Sequence, residues 1–275
     1  MSSMAMSPVV LVTGATDGIG KETACLLALR GAQVVVHGRT AKSAENARLA
    51  IESATGKALP ASVHADLSSL DEVRALAAAW GDRPLDVLLH NAGVFMTERR
   101  LTPDGRELTM AVNHDAPFLL SHLLRPSLER APQGRLVFVS SVAHSRAVLD
   151  LKDLDFARRF DGYAAYAASK LANVLCAVEL ARRLASTRIT ANALHPGVVS
   201  TKLLQTGFGM RGSDSLAAGS ATSVHLALDE VGVSGRYFVS GRPAQPSVPA
   251  RDAVLARQFY EVSCARVGIA PLPSP

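Results

Sequence analysis

Two residues four positions apart, in Tyr166-Ala-Ala-Ser-Lys170, could exchange a proton. On a helix an i, i+4 pair shares one face, so an ammonium at 170 can lie beside a phenol at 166. A free tyrosine ionises near pH ~10, too high for efficient proton exchange at neutral pH, and a nearby cation stabilises the phenolate. The pairing would make Tyr166 a general acid or base. Tyr163 competes for the role, but residue 167 is Ala, so it has no lysine partner at that spacing.

A second constellation could hold an anionic cofactor. Thr13-Gly14-Ala15-Thr16-Asp17-Gly18-Ile19-Gly20 follows the apolar run Val9–Val12 and leads into Lys21-Glu22-Thr23-Ala24, which reads as the opening of a helix. In that order the glycines let backbone approach a pyrophosphate, while the helix N-terminus offers unpaired N–H groups and a favourable dipole. The type of dinucleotide follows from the next strand. An NAD site wants a carboxylate about 20 residues past the glycines for the ribose hydroxyls. This chain instead has Val34-Val35-Val36-His37-Gly38-Arg39-Thr40. A guanidinium at Arg39 suits a 2′-phosphate, so NADP(H) is preferred over NAD(H).

The elements that must position these groups alternate regularly. Val9–Val12, 33–37, Ala61–His64, Val87–His90, 136–140 and 189–194 read as strands with helical patterns between them. Continuous apolar strands separated by helices are what a parallel sheet covered on both faces requires. The expected fold is α/β, a doubly wound parallel sheet of the Rossmann type, with residues 1–275 forming a single domain. Two stretches break the rhythm: an irregular segment between Ser141 and Tyr163, and the Gly/Ser-rich residues 206–215. Loops of that length inside a compact domain tend to be lids or binding loops.

The cofactor loop resembles that of the short-chain dehydrogenase/reductase family, TGxxxGIG, and further motifs arrive in the family's order. The resemblance implies a nicotinamide cofactor held by Gly14, Thr16, Asp17, Gly18, Ile19 and Gly20, by Arg39 and Thr40, by Asp66 and Leu67 at the adenine, and by Asn91-Ala92-Gly93 after the fourth strand. It implies catalytic roles for Asn113, Ser141, Tyr166 and Lys170, with Ser140 as the alternative to Ser141. In the family the serine hydroxyl polarises the substrate carbonyl, the lysine also holds the nicotinamide ribose, and the asparagine is thought to hold a water. Pro196-Gly197-Val198-Val199-Ser200-Thr201 looks like the PGxxxT segment that contacts the nicotinamide, with Pro196, Gly197, Val199 and Thr201 as the contacts. His195 reads as a strand-end packing residue.

Within the family the likeness narrows to the retinol dehydrogenase branch, through Val112-Asn113-His114, Val139-Ser-Ser-Val-Ala-His144, Ser169-Lys-Leu-Ala-Asn173 and Ser234-Gly-Arg-Tyr-Phe238. That branch reduces hydrophobic carbonyls, commonly with NADPH. The implied partner is therefore a hydrophobic aldehyde or ketone, or the matching alcohol, with Phe95, Met96, Leu203, Leu204 and Phe208 as candidate pocket residues. Many retinoid-active relatives carry an N-terminal membrane segment, whereas here the first strand begins near residue 9, so a membrane-held retinoid is not implied. A nucleotide-sensing protein without catalysis and a sugar-nucleotide epimerase or dehydratase are the rival readings. All of the catalytic residues survive, which disfavours the sensor, and the glycine spacing disfavours the epimerase.

Composition agrees with an enzyme. Apolar residues make up 48% and charged residues 19%, enough for a large core. The formal charge of +5 comes from scattered arginines rather than a basic stripe, and only 5% of residues are aromatic, so no nucleic-acid partner is expected. Three cysteines without a CxxC and eight histidines without HxxxH or HxH spacing imply neither disulfides nor a metal and fit a cytoplasmic setting. No signal peptide or membrane span is expected, and Pro271–Pro275 reads as a frayed end. Self-pairing is left open, since Leu171, Leu175 and Val178 beside the YxxxK motif could face a second copy or the core.

Overall fold

A computed structural model describes residues 7–209 and 211–274. Met1–Met6, Pro275 and the side chain of Phe208, one of the expected pocket residues, lie outside the described residues. Eight strands form one sheet: β1 (Val9–Val12), β2 (Gln33–Gly38), β3 (Ala61–His64), β4 (Val87–His90), β5 (Arg135–Val139), β6 (Thr190–His195), β7 (Tyr237–Val239) and β8 (Arg242–Ala244). Their order is β3-β2-β1-β4-β5-β6-β7-β8. All neighbours pair parallel except β7 and β8. Chain order reverses between β1 and β4, and the crevice beyond the carboxyl ends of those strands is where doubly wound sheets bind ligands.

The six expected strands are present with their ends moved by a residue at most; β7 and β8 went unread. Each has three residues, too few to show periodicity, and β8 contains Pro243. They form a hairpin whose two central turn residues, Ser240 and Gly241, both have positive φ (50° and 73°), the twist that a two-residue hairpin needs.

Helices cover both faces. In chain order they are α1 (Gly18–Leu29), α2 (Ala41–Thr55), α3 (Leu70–Trp80), α4 (Leu108–Met110), α5 (Ala116–Leu123), α6 (Arg125–Glu129), α7 (Gly162–Arg183), α8 (Lys202–Phe208), α9 (Leu216–Leu228) and α10 (Ala253–Val267). Between α4 and α5 the chain runs through a π-helical turn, Ala111–Asp115. Such turns insert a residue into a helix and often mark functional positions. Leu11, Val35 and Leu88 belong to the core on one face of the sheet, and Val10, Val12, Val34, Val36 and Leu89 to the core on the other. That division is the period-2 alternation of a strand buried on both sides.

Helix α7 is long and apolar enough to cross a membrane, with mean hydropathy 1.2, yet 83% of that stretch is buried inside the protein. Leu171 and Leu175 are fully buried in the core that also takes Phe259, Tyr260 and Cys264 of α10. Those leucines therefore serve the chain's own interior. The terminal segment is docked rather than frayed: Leu272 N donates to Tyr260 Oη (3.0 Å), and Arg183, stacked on Tyr260, reaches the Leu272 carbonyl.

The Ser141–Tyr163 segment is also pinned. It opens with a 3₁₀ turn, Val142–Arg146, and farther on Asp155 accepts from Glu107 N (3.0 Å) and from the Arg266 guanidinium (2.9 Å). The same guanidinium bonds both oxygens of Asp115, in the π turn, at 3.1 and 2.8 Å. Burial pushes the Asp115 carboxyl up and Arg266 draws it back. Removing one partner of a buried pair leaves an uncompensated charge at a cost of roughly 3–5 kcal/mol, while replacing both by apolar groups is often neutral. Arg266→Met is thus expected to lower unfolding free energy by about that amount. In urea denaturation, Arg266→Met with Asp115→Leu should recover part of the loss; equal stability of Arg266→Met and the parent would show that the pair carries no weight.

Candidate active site

The glycine loop turns where only glycine fits. Gly14 has φ +63°, and a Cβ there would stand 2.8 Å from Ala92 Cα. A Cβ on Gly20 would overlap the Gly14 carbonyl and the Asn91 amide. The loop is braced from the β4 end: Asn91 Nδ2 donates to the carbonyls of Thr13 (2.9 Å) and Gly14 (3.1 Å), and Thr13 Oγ1 accepts from the N–H groups of Asn91 (3.0 Å) and Ala92 (3.1 Å). Asn91 and Thr13 therefore shape the cradle. Asp17 caps α1 by accepting from Gly18 N (2.8 Å) and pairs with Lys202 of α8 at 2.5 Å. That contact and the Gly18 N–H hold its carboxyl below the ordinary range. First-turn N–H groups have no partner within a helix, and Gly18, Ile19 and Gly20 border the cleft.

The cleft encloses about 990 Å³ and runs from the β2 end to the β6 end. Gly14, Thr16, Asp17, Arg39, Asp66, Leu67, Asn91, Ala92 and Gly93 line one part of it, and Ser141, Tyr166, Lys170, Pro196, Gly197, Val199 and Thr201 the other. Arg39 is exposed at the end of β2. Thr40, expected beside it, does not line the cleft; its hydroxyl accepts from Ser43 N (3.2 Å) as the cap of α2. Asp66 accepts from Ser68 N (2.9 Å) and Ser68 Oγ (2.7 Å), which fixes its carboxylate at the β3 end. A glycine cradle that side chains would fill, helix N–H groups and a guanidinium fit a phosphorylated dinucleotide.

At the other end α7 lies against β5. Lys170 Nζ donates to the Val139 carbonyl (3.0 Å), Asn173 Nδ2 reaches the same oxygen (3.3 Å), and Ser140 Oγ donates to the Lys170 carbonyl (2.6 Å). The two serines differ in what their hydroxyls hold. Both border the cleft; Ser140 is buried and its hydroxyl is spent on the Lys170 carbonyl, whereas the Ser141 hydroxyl accepts from Ala143 N of its own turn and interacts with the Tyr166 side chain.

The expected depression of the tyrosine by the lysine is not seen. Burial pushes the phenol up to about 12, with the Ser141 bond opposing, and burial lowers Lys170 to about 8. Nζ stands 5.4 Å from the Tyr166 ring centre and is directed to a carbonyl, so the desolvation of both groups dominates. At neutral pH Tyr166 is a neutral phenol, a proton donor.

Asn113, fully buried in the π turn, spends its amide on bracing. Oδ1 accepts from Val94 N (2.7 Å), and Nδ2 donates to the Val94 carbonyl (3.0 Å) and Ser169 Oγ (2.9 Å). Its oxygen and Lys170 Nζ both lie 3.4 Å from where a Gly93 Cβ would stand, so a Cβ there would touch both groups.

The PGxxxT segment is folded onto residues 212–214. Val198 N donates to Asp214 Oδ2 (2.6 Å), Gly212 N donates to Ser200 Oγ (2.8 Å), and Thr201 caps α8 by accepting from Leu204 N (3.2 Å). Met96, Leu203 and Leu204 line the cleft as expected, while Phe95 packs against the Tyr166 ring at 5.7 Å. Three contributors went unread in the sequence. Lys202 closes on Asp17, His37 Nδ1 accepts from Gly14 N (3.2 Å), and His144 bonds the Ser141 carbonyl (2.7 Å). His144 stood inside the quoted Val-Ser-Ser-Val-Ala-His run; nothing in the sequence marked His37 or Lys202. Among the described residues no three His, Cys, Asp or Glu side chains gather as metal ligands.

The chain is similar to known proteins in sequence and in fold. The family model described as short chain dehydrogenase matches residues 8–210. Retinol dehydrogenase 11 of Homo sapiens is 38% identical over 95% of this chain and 86% of its own length. Retinol dehydrogenase 13 of Homo sapiens is 36% identical over 94% and 84%. Among solved structures, an uncharacterised protein from Mycobacterium paratuberculosis superposes with a TM-score of 0.82 at 31% identity, over 97% of this chain and 95% of the other. A short chain dehydrogenase from Escherichia coli CFT073, complexed with NADPH, superposes with a TM-score of 0.68 at 29% identity, over 86% and 97%. The chain therefore belongs to the short-chain dehydrogenase/reductase family of oxidoreductases, in its retinol dehydrogenase-like branch.

Proposed function

We propose that the protein interconverts a hydrophobic aldehyde or ketone and its alcohol, with NADP(H) as the redox partner and Tyr166 as the proton donor or acceptor. The observation that carries this reading is the buried Tyr166 beside Ser141 and Lys170 at one end of a cleft whose other end is the glycine cradle. The E. coli relative complexed with NADPH supports the choice of cofactor, as does Arg39 at the β2 end. The apolar Met96, Leu203 and Leu204 support the substrate class.

When bound, the nicotinamide supplies the hydride. Tyr166 and Ser141 together orient the carbonyl oxygen, Ser141 by donating a hydrogen bond where negative charge develops. Tyr166, held protonated by burial, gives that oxygen its proton. Lys170, its chain anchored to Val139, sets a positive charge beside the phenol and favours the phenolate left behind. In oxidation the same groups run in reverse.

Tyr166→Phe should lower kcat for NADPH-dependent reduction by a factor of order 10²–10⁴ while NADPH binding, followed by fluorescence titration, stays within about twofold. A Tyr166→Phe variant that keeps most of its activity would sink the assignment. Arg39→Ala should raise the KM for NADPH by roughly 10- to 100-fold, the weight of a charge-assisted phosphate contact, and leave that for NADH nearly unchanged. Equal losses with both cofactors in steady-state assays would refute the 2′-phosphate role.

A further inference from the structure

The turn that carries Ser141 is gripped on both sides by an imidazole. His144 Nδ1 lies 2.7 Å from the Ser141 carbonyl, and its Nε2 accepts from Ser247 N (3.1 Å) in the segment after β8. A carbonyl can only accept and an N–H can only donate, so His144 must be neutral, with its proton on Nδ1. On the other side His195, at the end of β6, accepts from Val142 N through Nδ1 (3.3 Å), which puts the proton of its neutral form on Nε2. Burial holds both rings below the ordinary imidazole range. The Tyr237 ring, from β7, lies 4.8 Å from that of His144 and leaves it little room to turn.

These side-chain contacts tie the serine's turn to residues outside it, where the turn's own bonds are local. Its hydroxyl accepts from Ala143 N (3.2 Å), an internal contact of the same turn, and meets the Tyr166 side chain. Ser140 ties the preceding residue to β6 and α7, through its N–H to Leu194 (2.7 Å) and its hydroxyl to Lys170. Beyond Ser140 the main chain leaves the sheet; the Ser141 carbonyl accepts from the backbone N–H (3.1 Å) and the Nδ1 of His144, whose ring carries the link on to Ser247 outside the turn, and the Val142 N–H is held from outside by His195.

We propose that His144 is a positioning residue for catalysis: its Nδ1–H, braced by Ser247, fixes the Ser141 peptide and so aims the Ser141 hydroxyl at the carbonyl oxygen, with His195 as the opposing clamp. The inference rests on the carbonyl-reductase reading above and assigns the hairpin β7–β8 and its trailing segment a part in the reaction. A displacement of a fraction of an ångström in a hydrogen-bond donor is enough to slow a reaction whose charge it must meet. Because His144 acts on Ser141 and not on the glycine cradle, its loss should appear in turnover and not in cofactor binding.

Three variants separate this role from general packing. Phenylalanine fills the ring's space without hydrogen bonds; asparagine can present its amide N–H near the Nδ1 position; glutamine reaches the Nε2 position and loses the contact to Ser141. In NADPH-dependent reduction of a benzaldehyde series, His144→Phe should lower kcat on the order of tenfold or more, the loss of one to two hydrogen bonds' worth of orientation. KM for NADPH and NADPH fluorescence titrations should stay within about twofold, and His144→Asn should recover most of kcat where His144→Gln does not. If His144→Phe does not fold, the Asn and Gln pair carries the comparison alone. Unchanged kcat in His144→Phe, equal kcat in the Asn and Gln variants, or a parallel loss of NADPH affinity would each overturn the proposal. Since the parent enzyme's turnover is measured in the same assay, a failure here is distinguishable from a failure of the carbonyl-reductase reading itself.

Discussion

The docking of α7 onto the carboxyl end of β5 is the contact on which the site depends. Three hydrogen bonds make it: Lys170 and Asn173 to the Val139 carbonyl, and Ser140 to the Lys170 carbonyl. Each is worth about 1 kcal/mol net, so their weight lies less in stability than in geometry. They bring residue 141 on a strand end and residue 166 on a helix to the same end of the cleft across a sequence gap that nothing local could bridge. They also bury the ammonium and the phenol together, and that burial sets the protonation of both.

From this contact the constraints spread outward in both directions. Toward β4, Asn113 ties the π turn to Val94 and, through Ser169, to α7, and Gly93 sits beside both Asn113 and Lys170. Toward the C-terminus, Arg266 joins Asp115 of that turn to Asp155 of the long segment before α7. The long Ser141–Tyr163 segment is thus fixed at its start by the Ser141 turn and in its middle by Arg266. The cofactor end is shaped by Asn91, Thr13 and the glycines. The two ends meet where Lys202 of α8 pairs with Asp17 of the glycine loop, and one cleft of this kind suits a reaction in which a large cofactor and a small substrate meet at one carbon.

Much of this was legible in the chain because the relevant signals are short and ordered. Gly14, Gly18 and Gly20 could be read from backbone need alone, and the six long strands from their continuous apolar runs. Tyr166 and Lys170 could be paired by helical spacing. What stayed hidden depends on contacts between distant residues. Nothing local separates Ser140 from Ser141; only the partner Lys170 carbonyl, 30 residues on, does so. Thr40, placed at the cofactor by the resemblance, has its hydroxyl in the cap of α2, a contact the resemblance does not show. The strands β7 and β8 are too short for a period, and the shift of Tyr166 upward rather than downward follows from burial, which spacing does not reveal.

The central claim is that this cleft delivers hydride to a carbonyl carbon while Tyr166 supplies the proton to oxygen. Its most direct test is isotopic: reduce an aldehyde with NADPH deuterated at nicotinamide C4, on the face found to be transferred, and examine the alcohol by mass spectrometry and proton NMR. The account predicts one deuterium on the carbinol carbon of every product molecule and none acquired there when the label is in the solvent. Carbinol deuterium drawn from labelled water, or an alcohol free of label from labelled cofactor, would contradict it.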